Sequence, residues 1–167
     1  MNKIMFIVLL SLLLFVSGCE SKEGLDINSS LMATDKTLPT SFDQMSTIDK
    51  KSNSKFLVMR VKNNEDYQEM WDTFQIKKDL MEIDLEKKDV IFLGLYESSS
   101  CPYSIKELTT SEKSKMTIVF SDMEANCTAD ESPRSFVIAI DKTFSNNIAE
   151  VALVQGKQEI VLPIKGK

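Results

Sequence analysis

The stretch DVIFLGLYE, residues 89–97, decides the fold. Between acidic ends it is almost continuously apolar and rich in β-branched and aromatic side chains, as expected of a strand covered on both faces. Such a strand belongs at the centre of a sheet, so its neighbours are sought on either side in sequence.

Upstream, KFLVMRV (55–61) is a short apolar run bounded by polar residues and reads as a second strand. Between the two lies NNEDYQEMWDTF (63–74). Asn63 or Asn64 is a suitable helix N-cap, Glu65 and Asp66 favour the positive first turn, and Tyr67, Met70, Trp71 and Phe74 recur at spacings of three and four. That spacing places Trp71 on a core-facing stripe, as an anchor rather than part of a ligand cage. Downstream, PYSIKELT (102–109) and KMTIVFSD (115–122) flank the polar TSEKS and read as a hairpin. Met116, Ile118 and Phe120 alternate with polar or outward residues, as do Phe136, Ile138 and Ile140 in SFVIAIDK (135–142). IAEVALVQGKQEIVLPI (148–164) holds two apolar runs around Gly156, a closing hairpin. One principal helix with about six strands, and no regular βαβ alternation, predicts an α+β domain with a mainly antiparallel sheet over residues 55–167.

The other informative region is LLFVSGCESKEG, 13–24, where an apolar run ends at a Gly-Cys pair and turns charged at once. Lys3 precedes an apolar segment from Ile4 to Val16 broken only by Ser11. This is the pattern of a secretory signal peptide over residues 1–18, shorter than the about 20 apolar residues a membrane-spanning helix needs; an uncleaved anchor is the alternative. Val16-Ser17-Gly18-Cys19 resembles the lipobox of bacterial lipoproteins. Small residues admit the backbone to a peptidase, and the Cys19 thiol is the group that carries a thioether-linked diacylglycerol. Two acyl chains suffice for stable anchoring where one does not. The expectation is therefore a protein anchored by lipid at Cys19 to the outer face of the cell membrane, and exposed beyond the cytoplasm.

Cleavage before Cys19 leaves 149 residues, with nineteen Lys and Arg against twenty-five Asp and Glu. A chain this acidic, without a basic cluster, is a poor nucleic-acid partner. Residues 20–54, ESKEGLDINSSLMATDKTLPTSFDQMSTIDKKSNS, are polar with apolar residues scattered singly. By composition they read as a flexible tether, 19–54 including the lipidated cysteine, reaching on the order of 30 Å. The alternative is that TSFDQM, around Phe42 and Met45, docks on the domain.

Three cysteines are present; with Cys19 assigned to lipid, Cys101 and Cys127 remain, an even pair in a compartment where disulfides persist. They lie just outside the strands of the predicted hairpin, and a turn near Lys113 or Ser114 brings them nearly opposite one another, so a disulfide is expected. No Cys-x-x-Cys suggests a thioredoxin role. The chain has no histidine, which removes Ser-His-Asp and Cys-His hydrolysis and His-ligated metal. No Gly-rich phosphate loop occurs among five glycines. Asp122, Glu124, Asp130 and Glu131 cluster in SDMEANCTADESPR, a run that reads as a solvated loop; its spacing matches no calcium loop. No cofactor, metal or catalytic residue is assigned.

From about Leu57 to Lys142 the chain runs strand, a helix carrying YQEMW, EIDLEKKDVIFL, a YSI strand after a small-residue turn, a polar hairpin return, and SPRSFVIAIDK. This order resembles the C-terminal domain of the PrcB family, accessory lipoproteins of a bacterial surface protease complex. The resemblance implies an accessory or binding role without catalysis. Where such domains have a glycine-rich turn before the YSI strand, this chain has Ser98-Ser99-Ser100-Cys101-Pro102, so the loop's function is not carried over. The expected function is a noncatalytic, lipid-anchored binding or accessory module for an envelope or secreted protein. The alternative is a lipid-anchored hydrolase using carboxylates.

Overall fold

A computed structural model describes residues 22–111, 114–122 and 126–166. The lipobox-like segment and Cys19 lie outside the described residues, as do Glu112, Lys113 and Glu124.

Strand β5, Lys88–Glu97, is central, as its apolar run requires. It pairs antiparallel with β4 (Lys55–Val61) on one side and β8 (Ser132–Asp141) on the other. The order of this sheet is β11 (Lys165–Gly166), β4, β5, β8, β2 (Leu31–Asp35), with the two-residue β3 (Thr47–Ile48) also on β4. A second sheet has the order β1 (Lys22–Leu25), β6 (Ile105–Ser111), β7 (Lys115–Phe120), β9 (Glu150–Gln155), β10 (Gln158–Pro163). Pairing is antiparallel except for β7 with β9 and β11 with β4.

One face of the first sheet, through Val58, Ile91, Leu93, Phe136 and Ile138, packs on Leu108, Met116, Ile118 and Leu153 of the second. Its other face, through Leu57, Met59, Val90 and Phe92, packs on the helix Asn64–Thr73. Alternation in β5 and β8 therefore serves two cores at once. The helices are α1 (Ile27–Ser30), α2 (Phe42–Met45), α3 (Asn64–Thr73) and α4 (Lys142–Ser145). Asn63 caps α3, its side-chain oxygen accepting the Asp66 N–H at 2.9 Å. Tyr67, Met70, Trp71 and Phe74 are buried along one stripe, and Trp71 is the expected core anchor, its Nε1 donating to the Lys78 carbonyl at 3.0 Å.

Gly94, in the middle of β5, is required by close approach. A Cβ there would lie 2.7 Å from Leu38 Cδ2 and 3.2–3.3 Å from the rings of Phe74 and Phe42. Gly156 supplies a φ of +56° at the β9–β10 turn, where the closing hairpin was expected.

Three expectations are corrected. The strands form two sheets rather than one of about six, eleven strands in all among the described residues, and there are four helices, three of them a single turn. The polar stretch 19–54 is not a tether over its described part. Strand β1 pairs with β6 and β2 with β8, while Ala33 and Phe42 are buried. The docked alternative for TSFDQM is the one observed, with Phe42 packed in the helix-side core. An edge strand needs only backbone pairing and one or two inward side chains, so scattered Leu25, Leu31 and Ala33 suffice. Finally, β6 begins at Ile105 rather than at Pro102, because the Tyr103 N–H is taken by a side chain, the Glu97 carboxylate, at 2.7 Å.

Candidate functional site

The last residues of β5 and the first of β8 bring together the end of the sandwich that carries the cysteines. Glu97 and Ser132 are register partners there. By strand parity Glu97 follows Leu93 and Leu95 inward, and Arg134 precedes Phe136 and Ile138 inward, so both charges enter the core edge. They satisfy one another. Arg134 Nη2 and Nε approach Glu97 Oε1 at 2.6 and 2.8 Å, with the Glu97 side chain 1% exposed. Glu97 Oε2 accepts the Tyr103 N–H, and Arg134 Nη1 donates to Thr34 Oγ1 at 3.3 Å. This pair ties β5, β8, β2 and the segment before β6 at one point.

Cys101 and Cys127 form the expected disulfide, with Cα atoms 5.5 Å apart. Closing a loop of this length stabilises by about 3–4 kcal/mol in the chain-entropy treatment. Around it lies a polar knot. Thr128 N–H donates to Ser100 Oγ at 2.9 Å, the hydroxyls of Ser98, Ser100 and Thr128 lie within 3.0–3.2 Å of one another, and Thr128 Oγ1 donates to Asp130 Oδ1. Ser99 N–H donates to the same carboxylate at 3.3 Å. The departing turn Ser98-Ser99-Ser100 thus uses its hydroxyls and an amide to fasten the loop after Cys127.

Beside the disulfide opens a cleft of about 670 Å³. Its lining includes Asp43 and Lys55, paired at 2.7 Å, the acids Asp130 and Glu131, and Tyr96, Glu97 and Tyr103. The Tyr96 ring is also held edge-on by Phe42, centroids 5.3 Å apart, so the docked helix α2 bears on the site. The proton affinities of three groups here are displaced. The Thr128 hydroxyl, then Ser99, hold the Asp130 carboxyl at about 2. Its hydrogen bond to Asp43 raises Lys55, and burial, then Glu97, raises the Tyr103 phenol. All three move away from neutrality, opposite to what a general acid or base requires. The cleft offers fixed acceptors, one ammonium and an aromatic surface, which suits recognition of a polar segment.

Of the acidic run SDMEANCTADESPR, Asp130 and Glu131 reach this cleft; Asp122 is exposed and paired with Lys106 at 3.0 Å, outside the lining. Among the described residues no group of three or more acidic or cysteine side chains is placed to hold a metal. No helix among them is long and apolar enough to cross a membrane. A second concavity of about 510 Å³ lies between α3 and residues 80–84, where Tyr67 donates to the Met81 carbonyl at 3.0 Å.

Sequence reading missed Glu97 and Arg134. The signal was available: each continues an inward alternation by one step, and an acid and a base in inward positions of two strands must find each other. Comparison with protein-family models, with curated proteins and with solved structures finds no match to this chain.

Proposed function

We propose that this protein is a lipid-anchored, noncatalytic binding module at the outer face of a bacterial cell membrane, which presents the cleft beside Cys101–Cys127 to an envelope or secreted protein. The observation that carries the location is Val16-Ser17-Gly18-Cys19 at the end of the apolar run. Support for binding comes from the cleft itself. Its walls are fixed by a covalent bond and a buried ion pair, while Asp130, Glu131, Lys55 and Tyr96 remain presented to solvent. Rigid support beneath exposed polar groups lowers the ordering cost of association. An accessory role is also what the resemblance to PrcB-family domains implies, and it stands as part of the proposal.

The test uses intact cells. A photo-crosslinking residue in place of Tyr96 should capture a discrete envelope or secreted protein, and the same residue at Leu80, beside the second concavity, should not. Capture at Leu80 alone would move the binding site to α3, and capture at neither position would sink the binding reading.

A further inference from the structure

Resting on the proposed lipidation of Cys19, we infer that the folded domain sits directly on the lipid surface, with the end of the second sheet that carries Lys22, Ser111 and Lys115 toward the headgroups and the disulfide cleft facing away. Chain length sets the limit. Lys22 is already a strand residue, paired with Ser111 at the last position of β6. From Cys19 to Lys22 the chain takes three steps, which in any conformation span at most about 11 Å. A headgroup layer of about 5–7 Å takes up half of that reach or more. No room is left for a spacer.

Register fixes which end is held. Lys22 pairs with Ser111, Ser111 with Lys115, and Lys115 with Glu150, so one row crosses four strands at the same end of the second sheet. Ser114, in the β6–β7 turn, accepts the Ala149 N–H at 2.8 Å, which puts the segment after α4 at this end too. Asp141, just before α4, pairs with Lys88, the first residue of β5. Glu97, at the other end of β5, lines the cleft. Ten residues of β5 at ~3.3 Å each separate the two ends by on the order of 30 Å. The stand-off that composition assigned to a tether is thereby supplied by the length of the sheets, and the cleft is presented at a set height and orientation rather than swept through a volume.

The experiment uses the full lipidated protein, purified from membranes and reconstituted into vesicles carrying a headgroup-linked energy acceptor. Donor dyes are placed singly at Thr143→Cys in α4 and at Lys157→Cys in the β9–β10 turn, both exposed positions. Transfer from position 143 should be several-fold more efficient than from position 157. Inserting about thirty Gly and Ser residues between Ser21 and Lys22, a coil reaching ~30 Å, should abolish the difference. Equal transfer from the two sites before insertion, or stronger transfer from 157, overturns the inference while leaving the anchor standing. Mass spectrometry of the N-terminal peptide reads the anchor separately: a peptide without diacylglycerol overturns both.

Discussion

The two ends of the sandwich bury charge in different ways. At the cleft end both Glu97 oxygens and three Arg134 nitrogens have partners, and a disulfide closes the loop beside them. At the opposite end Asp89 is fully buried, its Oδ2 accepting the Ser145 hydroxyl at 2.8 Å while Oδ1 has no hydrogen-bond partner. Arg60 there donates through Nη1 to the Ser145 and Ile148 carbonyls, each at 2.8 Å, with Nε unpartnered. An acid and an arginine thus specify geometry at one end and merely pin α4 and the following turn at the other. A fully engaged buried pair is costly to break from one side, whereas a half-engaged carboxylate loses little when its charge is removed.

The strongest test of this contrast is Arg134→Met, which strands Glu97 in the core edge. It should cost about 3–5 kcal/mol of unfolding free energy in urea titration, while the double change Glu97→Leu with Arg134→Met recovers most of it. A single variant no less stable than the double one would erase the difference between the ends.

Asp89→Asn, by contrast, keeps a side-chain oxygen for Ser145 and removes a charge whose second oxygen is unpartnered. Its effect should stay within about 1 kcal/mol in the same titration. A loss as large as that of Arg134→Met would show that Asp89 is as fully engaged as Glu97.

The smallest effect sharpens the picture of the polar knot. Asp130 is held at about 2 against an ordinary value of 3.8, so its contribution is fully present above pH ~4 and is lost as pH falls toward 2. Asp130 is exposed, so what should change is local order rather than global stability. Protease susceptibility of residues 126–131 should rise between pH 4 and pH 2, measured with an acid-active protease, and Thr128→Val should make that loop susceptible already at pH 4. Unchanged susceptibility in the variant would mean that the disulfide alone orders the loop.

Much of the centre was legible beforehand. The apolar run of β5, the stripe of α3 and the alternation of β7 each follow from local periodicity, because a core-facing element of several residues writes its burial into adjacent positions. Cys101 and Cys127 were legible through compartment and hairpin geometry together. The split into two sheets was not: Leu108 and Leu93 are both inward residues, and nothing local says that they belong to different sheets sharing one core.

By itself, then, the sequence determined the central strand, the capped helix, the two hairpins and the cysteine pair, since each is specified by residues close together or by counting. Only the tertiary structure decided the fate of residues 22–48 and of the two buried charges. Strand β1 finds its partner β6 more than eighty residues later, and β2 finds β8 about a hundred later. Edge strands draw their stability from backbone hydrogen bonds to those distant partners, which leave almost no mark on composition. Glu97 and Arg134 likewise look like surface residues until strand pairing places them inside, where a desolvated charge is tolerated only because its counterpart arrives from another strand.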